Sequence, residues 1–99
     1  MPIKIGVFDS GIGGKTVAMA IEAALPHVEV LYASDSDNVP YGGRNQAEII
    51  NLTDQAIQPL LRSDCGVIVI ACNTATAAAI EYLRRKYDSV KFIGLEPMI

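Results

Sequence analysis

Residues 67–74 read Val-Ile-Val-Ile-Ala-Cys-Asn-Thr, an apolar run that changes at once into polar residues. A continuous run of β-branched side chains is typical of a strand that is buried on both faces, as in a parallel sheet covered by helices. Residues 3–8 and 90–95 are nearly as continuous, and residues 28–33 form another apolar run. The sequence therefore predicts four short strands.

Helical periodicity fills the segments between these runs. Apolar residues recur three and four positions apart in three stripes: Val17, Ala20, Ile21 and Ala24; Ile49, Leu52, Ala56 and Leu60; and Ala77, Ile80, Leu83 and Tyr87. The first helix is expected to end before Pro26. Because Pro59 has no amide hydrogen to donate to Gln55, we expect the second helix to kink or end there. The third helix is expected to begin near Thr74 or Ala75.

Strands and helices thus alternate along the chain in the order β-α-β-α-β-α-β. With right-handed crossovers, this order predicts an α/β fold in which a parallel sheet is flanked by helices on both faces. Ligands of such folds bind at the carboxyl ends of the strands. The glycine-rich and polar segments 9–14, 34–44 and 72–74 all follow strands, so we expect them to meet at one edge of the sheet.

Composition restricts the class of protein. The 99 residues suffice for one small domain, and their net charge is −3. The one short basic run, residues 84–86, lies late in a predicted helix, where cations complement the helix dipole, so no nucleic-acid partner is expected. No apolar stretch approaches the roughly 20 residues of a membrane span, and there is no signal-peptide pattern. We therefore expect a cytoplasmic protein without a membrane partner.

The loops after the first two strands allow several interpretations. Residues 11–14 read Gly-Ile-Gly-Gly and suit a phosphate or a carboxylate, but they lack the spacing of a dinucleotide-binding loop or a P-loop. Asp9, just before them, fits a phospho-acceptor, a metal ligand, a general base or a simple cap of the loop. In the second loop, Asp35 and Asp37 lack the spacing of a calcium site, so solvation of the loop is the simpler interpretation.

The two cysteines differ in position. Cys72 ends its strand and precedes a helix that Asn73 or Thr74 can cap, so its thiol would lie at the positive end of the helix dipole, which favours the thiolate. The alternative is an inert, buried cysteine. Cys65 precedes the same strand, at the opposite edge of the sheet, and is interpreted as structural. Neither a disulfide nor a metal site is expected, since the chain is cytosolic and His27 is the only histidine.

Four segments together resemble the successive signatures of bacterial glutamate racemases. They are residues 8–14 (Phe-Asp-Ser-Gly-Ile-Gly-Gly), 39–42 (Val-Pro-Tyr-Gly), 71–77 (Ala-Cys-Asn-Thr-Ala-Thr-Ala) and 96–97 (Glu-Pro). They span the chain in order and at suitable separations, and aspartate racemases do not generally combine the first two. The resemblance implies a flavodoxin-like fold, the first of two pseudo-symmetric domains.

The resemblance also implies racemisation of glutamate by two cysteines, without pyridoxal phosphate, a metal or another cofactor. One thiolate removes the α-proton from one face of the substrate, and a second thiol returns a proton to the other face. Cys72 matches the first of this pair. Asp9 and Ser10 match positions at the substrate, with Asp9 also a candidate to assist the thiol. The positions that hold the carboxylate and amino groups of the substrate are Tyr41, Gly42, Asn73 and Thr74.

In the resembled family, the second cysteine lies in a later Gly-Cys-Thr-His-type segment of a second domain. We therefore expect residues 1–99 to form the first domain of an incomplete enzyme that is inactive alone, since Cys65 lies at the wrong end of its strand. The parent enzyme would supply D-glutamate for peptidoglycan, and so for cell-wall biogenesis and cell shape; the resemblance allows a homodimer. Residues 34–38 depart from the commoner wording of the family, which affects the details of substrate contact.

Two other functions stay open from the residues themselves. One is a racemase of another acidic amino acid, such as aspartate. The other is a non-catalytic flavodoxin-like module that binds a small anion or a partner protein.

Overall fold

The computed structural model of the chain describes residues 3–11 and 13–95. The strands are β1 (Lys4–Asp9), β2 (Glu29–Ser34), β3 (Val67–Ile70) and β4 (Lys91–Gly94). The helices are α1 (Gly14–Ala24), α2 (Gln46–Ala56), α3 (Gln58–Arg62) and α4 (Asn73–Lys86), with a 3₁₀ turn at Ser36–Asn38. Within the described ranges, no helix has both the length and the apolar character needed to cross a bilayer. Ile12 and the Glu96-Pro97 pair of the motifs above lie outside these ranges.

All four strands are parallel and lie in the order β2-β1-β3-β4. The chain runs outward from β1 to β2 and then returns to the other side of β1 for β3. At the centre, Phe8 pairs with Ile70, and the Ala71 amide donates to the Phe8 carbonyl at 2.7 Å. The order of the strands reverses here, which is where open α/β sheets bind their ligands. The predicted α/β fold, with its flavodoxin-like strand order, is confirmed.

Helices cover both faces of the sheet, as predicted. On one face, Ile5, Val7 and Val69 pack with Ala18 of α1. The core on the other face joins the sheet to α2, α3 and α4, and includes Phe8, Ile49, Ile57, Leu60, Ile68, Ile70, Ala79, Leu83 and Phe92. Because burial of each large apolar side chain contributes about 1.5–3 kcal/mol, most of the hydrophobic stabilisation comes from this second face.

The apolar stripe predicted for α1 is wrong at two of its positions. The buried residues of α1 are Gly14 and Ala18, whereas Ala20 and Ala24 are exposed. The reason is the close approach at the start of the helix, where a Cβ on Gly14 would overlap the Cβ of Asp9. Close packing there fixes the rotation of the helix, so Gly14 and Ala18 face the sheet whereas Ala20 and Ala24 do not.

The stripe predicted for α4 is wrong at Ala77, which is exposed. The buried residues of this helix are Ala75, Thr76, Ala79 and Leu83. Thr76 tolerates burial because its hydroxyl reaches the carbonyl oxygens of Ile70 and Cys72, at 3.2 and 3.0 Å. Gly94 of β4 leaves room for this side chain, since a Cβ at that position would overlap it.

The break predicted at Pro59 is confirmed. Helix α2 ends at Ala56, and Pro59 lies in the first turn of α3, where a missing amide hydrogen leaves no helical hydrogen bond unmade. Ile57, between the two helices, is completely buried. The break therefore lets residues of both helices, and Ile57 between them, pack into the same core.

Asp54 connects the end of α2 to the end of α4. Its carboxylate accepts hydrogen bonds from Lys86 Nζ and the Tyr87 hydroxyl, both at 2.6 Å, and from Gln58 Nε2 at 3.0 Å. Burial disfavours the charged carboxylate, but the hydrogen bonds from Lys86 and Tyr87 outweigh this effect and hold the pKa of Asp54 below its ordinary value. The hydrogen bond to Asp54 also raises the pKa of Lys86. Both groups therefore stay charged near neutral pH.

Replacing Asp54 by Asn should destabilise the fold by about 2–3 kcal/mol near neutral pH, because a charge shared by four donors, the fourth being the Tyr82 hydroxyl at 3.4 Å, is lost. A carboxyl group whose pKa is lowered by folding stabilises fully above its unfolded pKa of about 4, and this contribution disappears as the pH falls through the folded pKa. The difference between the two proteins should therefore shrink below about pH 4. Urea unfolding on both sides of this pH measures it.

Asp88→Asn is the matched control for this prediction, since Asp88 is exposed in the turn after α4. Its free energy of unfolding should change by less than about 0.5 kcal/mol. Equal losses in the two variants would contradict the role given to Asp54.

Candidate active site

The three polar segments form one cleft at the carboxyl ends of β1, β2 and β3. The cleft has a volume of about 490 Å³. Its lining residues are Ser10, Gly11, Ser36, Val39, Pro40, Tyr41, Gly42, Cys72 and Thr74. Each of the three segments contributes, so the cleft is a product of the sheet topology.

Cys72 lies at the junction of β3 and α4 and is half-buried in the cleft. The expected cap at Asn73 or Thr74 is wrong: Cys72 itself caps the helix, and its Sγ accepts a hydrogen bond from the Ala75 amide at 3.5 Å. The reason is that Cys72 still has the extended backbone of the strand, whereas Asn73 is already the first residue of the helix. The residue that caps the helix is therefore Cys72. The sulfur therefore faces the N–H groups of the first turn of α4, at the positive end of the helix dipole.

Asp9 lies behind the cleft and is almost completely buried. Its Oδ2 accepts hydrogen bonds from the Gly14 amide at 3.0 Å and from the Tyr32 hydroxyl at 3.4 Å. The carboxylate therefore holds the start of α1 against β1. Of the interpretations offered for Asp9, the cap of the loop is the one that these contacts support.

The first two loops are in direct contact. Gly11 lies against Val39, and a Cβ on this glycine would come within 2.8 Å of Val39 Cγ1. The Gly11 carbonyl also accepts a hydrogen bond from Ser34 Oγ at 2.9 Å. Gly13 has a φ of 105°, a conformation that other residues rarely adopt. Because the first loop is fixed in this way, Ser10 is held at the cleft, where it is half-buried.

Tyr41 anchors the second loop. Its ring is 2% exposed and lies 6.2 Å from the Phe8 ring, measured between centroids. Its hydroxyl donates a hydrogen bond to Asp35 Oδ2 at 2.6 Å. Burial raises the pKa of Tyr41, and the hydrogen bond to the Asp35 carboxylate and the charge of that carboxylate raise it further. Tyr41 is therefore a neutral hydrogen-bond donor and does not act as a base.

The remaining predicted residues are divided between the cleft and its surroundings. Gly42 and Thr74 line the cleft. Asn73 is exposed in the first turn of α4 and is not a lining residue. Cys65 is buried before β3, and burial raises the pKa of its thiol, as expected of a structural cysteine. Within residues 3–11 and 13–95, no three His, Cys, Asp or Glu side chains lie close enough to hold a metal ion.

Some lining residues and one supporting residue are not among the predicted site residues, although Val39 and Pro40 belong to the second of the quoted segments. Ser36, Val39 and Pro40 complete the lining of the cleft. Asp35, interpreted above as a solvated loop residue, is half-buried and binds the Tyr41 hydroxyl. The six-residue spacing between Asp35 and Tyr41 matches no helix or strand period, so the sequence alone does not predict this hydrogen bond.

The chain is similar to known proteins over nearly its whole length. The glutamate racemase of Lachnospira eligens is 46% identical over 97 residues, which are 98% of this chain and 36% of that protein. The structure of the glutamate racemase from Aquifex pyrophilus matches with a TM-score of 0.87 and 40% identity, over 93% of this chain and 36% of the other. No protein-family model matches the chain.

A second solved structure, Escherichia coli glutamate racemase in complex with L-glutamate and the activator UDP-MurNAc-Ala, matches with a TM-score of 0.86 and 34% identity. The match covers 100% of this chain and 37% of the other. The chain thus spans about a third of the length of the curated relatives it matches, and it corresponds to their amino-terminal part.

Cys72 should react with iodoacetamide at least about tenfold faster than Cys65 near neutral pH, because the attacking species is the thiolate and only Cys72 is both accessible and placed at a helix N-terminus. Mass spectrometry of peptides from timed reactions gives the rate at each cysteine. In urea the two rates should become equal, which is the control. Equal rates in the folded chain would contradict the environment described for Cys72.

Proposed function

Since the chain is homologous to the amino-terminal third of glutamate racemases, we propose that it forms the first half of a glutamate racemase active site. In the complete protein, L- and D-glutamate would interconvert without pyridoxal phosphate or a metal. The observation that carries the proposal is the position of Cys72: its sulfur lies at the N-terminus of α4 and lines the cleft between β1 and β3.

The proposed chemistry is proton transfer at the α-carbon of glutamate. The Cys72 thiolate would take the α-proton from one face, and a second thiol, from residues beyond these 99, would deliver a proton to the other face. A thiolate held at a helix N-terminus is stabilised relative to the thiol, so more of it is ready to act as the base. One thiol cannot reach both faces of the same carbon, which is why the mechanism needs a second.

Negative charge develops on the substrate when the α-proton leaves, and the cleft offers donors to stabilise it. The hydroxyl groups of Ser10 and Thr74 line the cleft, and no described residue accepts a hydrogen bond from the Gly42 amide. These groups, with the Tyr41 segment, would bind the carboxylate and amino groups of glutamate. Asn73 would contact the substrate from the rim of the cleft.

Asp9 would act from behind the cleft. Its bond to the Gly14 amide positions the first loop, and with it Ser10 at the substrate. Its carboxylate is also a candidate to assist the thiol. We infer that orientation of the loop is its main contribution, because one of its two oxygens already serves Gly14 and Tyr32.

The wider role follows from the proposed activity. A cytoplasmic enzyme of this kind would supply D-glutamate for peptidoglycan, cell-wall biogenesis and cell shape, and would form a homodimer as members of the resembled family often do. The matched relatives are glutamate racemases, so neither an aspartate racemase nor a non-catalytic binding module receives support from them.

In a complete enzyme that contains this segment, Cys72→Ser should reduce the rate of glutamate racemisation by at least about a thousandfold. A serine hydroxyl is a much weaker acid than a thiol, so almost none of it is present as the anion that would remove the α-proton. Circular dichroism of L- and D-glutamate during turnover measures the rate. Cys65→Ala should keep a rate close to that of the unmodified enzyme. A near-normal rate in the Cys72 variant would remove this residue from the mechanism.

The 99-residue chain by itself should not racemise glutamate, because it holds only one thiol at the cleft. Incubation with L-glutamate followed by chiral chromatography checks this, with aspartate tested in parallel. Accumulation of D-glutamate would show that one thiol suffices and would overturn the two-thiol scheme.

A further inference from the structure

Asp35 joins the second loop to the end of β1 and also links two residues within that loop. Its amide donates to the Asp9 carbonyl at 3.1 Å, at the end of β1. Its Oδ1 accepts a hydrogen bond from Asn38 Nδ2 at 2.8 Å, and its Oδ2 accepts one from the Tyr41 hydroxyl at 2.6 Å. One half-buried aspartate thus fixes the second loop to the centre of the sheet.

The second loop is closed by further hydrogen bonds around this aspartate. Arg44 Nη2 donates to the Asn38 carbonyl at 3.1 Å, and the Arg44 amide donates to the Tyr41 carbonyl at 3.2 Å. The carbonyl oxygens of Asn38 and Tyr41 are therefore both occupied within the loop. Its cleft side carries Tyr41 and Gly42, whose amides have no acceptor among the described residues.

We propose that Asp35 is a positioning residue, which holds Val39–Gly42 against Cys72 through its hydrogen bond to the Tyr41 hydroxyl. This inference rests on the proposed function, in which the segment binds the carboxylate of the substrate. A short hydrogen bond to a charged acceptor is among the stronger polar contacts in proteins, and a buried tyrosine hydroxyl needs a partner. Without Asp35, the Tyr41 hydroxyl loses this hydrogen bond to its own loop, so the segment Val39–Gly42 is no longer tied to the end of β2.

Two alkylating reagents of the same size separate this role from general effects. Iodoacetate carries a carboxylate and iodoacetamide does not, and both react with the Cys72 thiolate. The ratio of their rates, divided by the same ratio for N-acetylcysteine, is therefore independent of the thiolate fraction and reports carboxylate binding in the cleft. In the unmodified chain, we expect a normalised ratio of about ten.

Asp35→Ala and Tyr41→Phe should each lower this ratio to about three or less, and the double variant should lower it no further, because all three lack the same hydrogen bond. The direction in which the ratio changes separates loop positioning from a charge effect. Removing a negative charge near the cleft would by itself attract iodoacetate and raise the ratio, so a fall is the opposite of a simple charge effect. Asp35→Asn keeps one acceptor oxygen and should recover part of the ratio.

Asp37→Ala is the matched control, since Asp37 is exposed in the same 3₁₀ turn and its loss changes the net charge equally. Its ratio should equal or exceed that of the unmodified chain. If the unmodified chain shows no preference for iodoacetate, the proposed carboxylate site fails, and this inference fails with it. If the preference is present but survives in both Asp35→Ala and Tyr41→Phe, only the role of Asp35 is overturned.

Circular dichroism confirms the fold of each variant before alkylation. Should Asp35→Ala fail to fold, Tyr41→Phe decides the question alone, because it removes only the hydroxyl and keeps both the buried ring and the charge. An unchanged ratio in this variant would overturn the inference.

Discussion

The hydrogen bond from the Ala71 amide to the Phe8 carbonyl, 2.7 Å long, ties the end of β3 to the end of β1. Beyond this bond the chain leaves the two strands in opposite directions, because α1 packs on one face of the sheet and α4 on the other. A crevice must therefore open between the two loops. Cys72 lies on one side of it and Ser10 on the other, so the pairing of the two central strands makes a shared site possible.

Close approach between elements then shapes the crevice. Gly14 lets α1 begin directly against Asp9, Gly11 lets the first loop touch Val39, and Gly94 admits the Thr76 side chain. In each case a Cβ would meet a neighbouring atom at less than an ordinary contact distance. These contacts bring the start of α1, the first loop and the first turns of α4 close to the strands that they follow or cover.

The sequence predicts the strands, the two covered faces and the break at Pro59, because continuous β-branched runs and a missing amide hydrogen act locally. Helix orientation is harder to predict. Ala20, Ala24 and Ala77 fit an apolar stripe as well as Ala18, Ala75 and Ala79 do, and only the approach to the sheet decides between them. The bonds of Asp54 to Lys86 and of Asp35 to Tyr41 depend on side chains that meet only in the fold. The cap by the Cys72 sulfur depends on backbone angles that propensity does not specify.

The acidic residues around the cleft show how an anionic substrate and a thiolate can share it. Asp9 and Asp35 both lie within the site, yet neither lines the cleft: Asp9 binds the Gly14 amide and Asp35 binds the Tyr41 hydroxyl. A carboxylate pointing into the cleft would repel the substrate and oppose ionisation of Cys72. Turned toward groups of the fold, the same carboxylates orient the two loops. The cleft surface is left to apolar groups such as Val39 and Pro40, with a few hydroxyl groups and the Cys72 sulfur among them. Few polar groups on an apolar wall are strong partners for an amino-acid anion whose α-proton is removed, because little water competes with them.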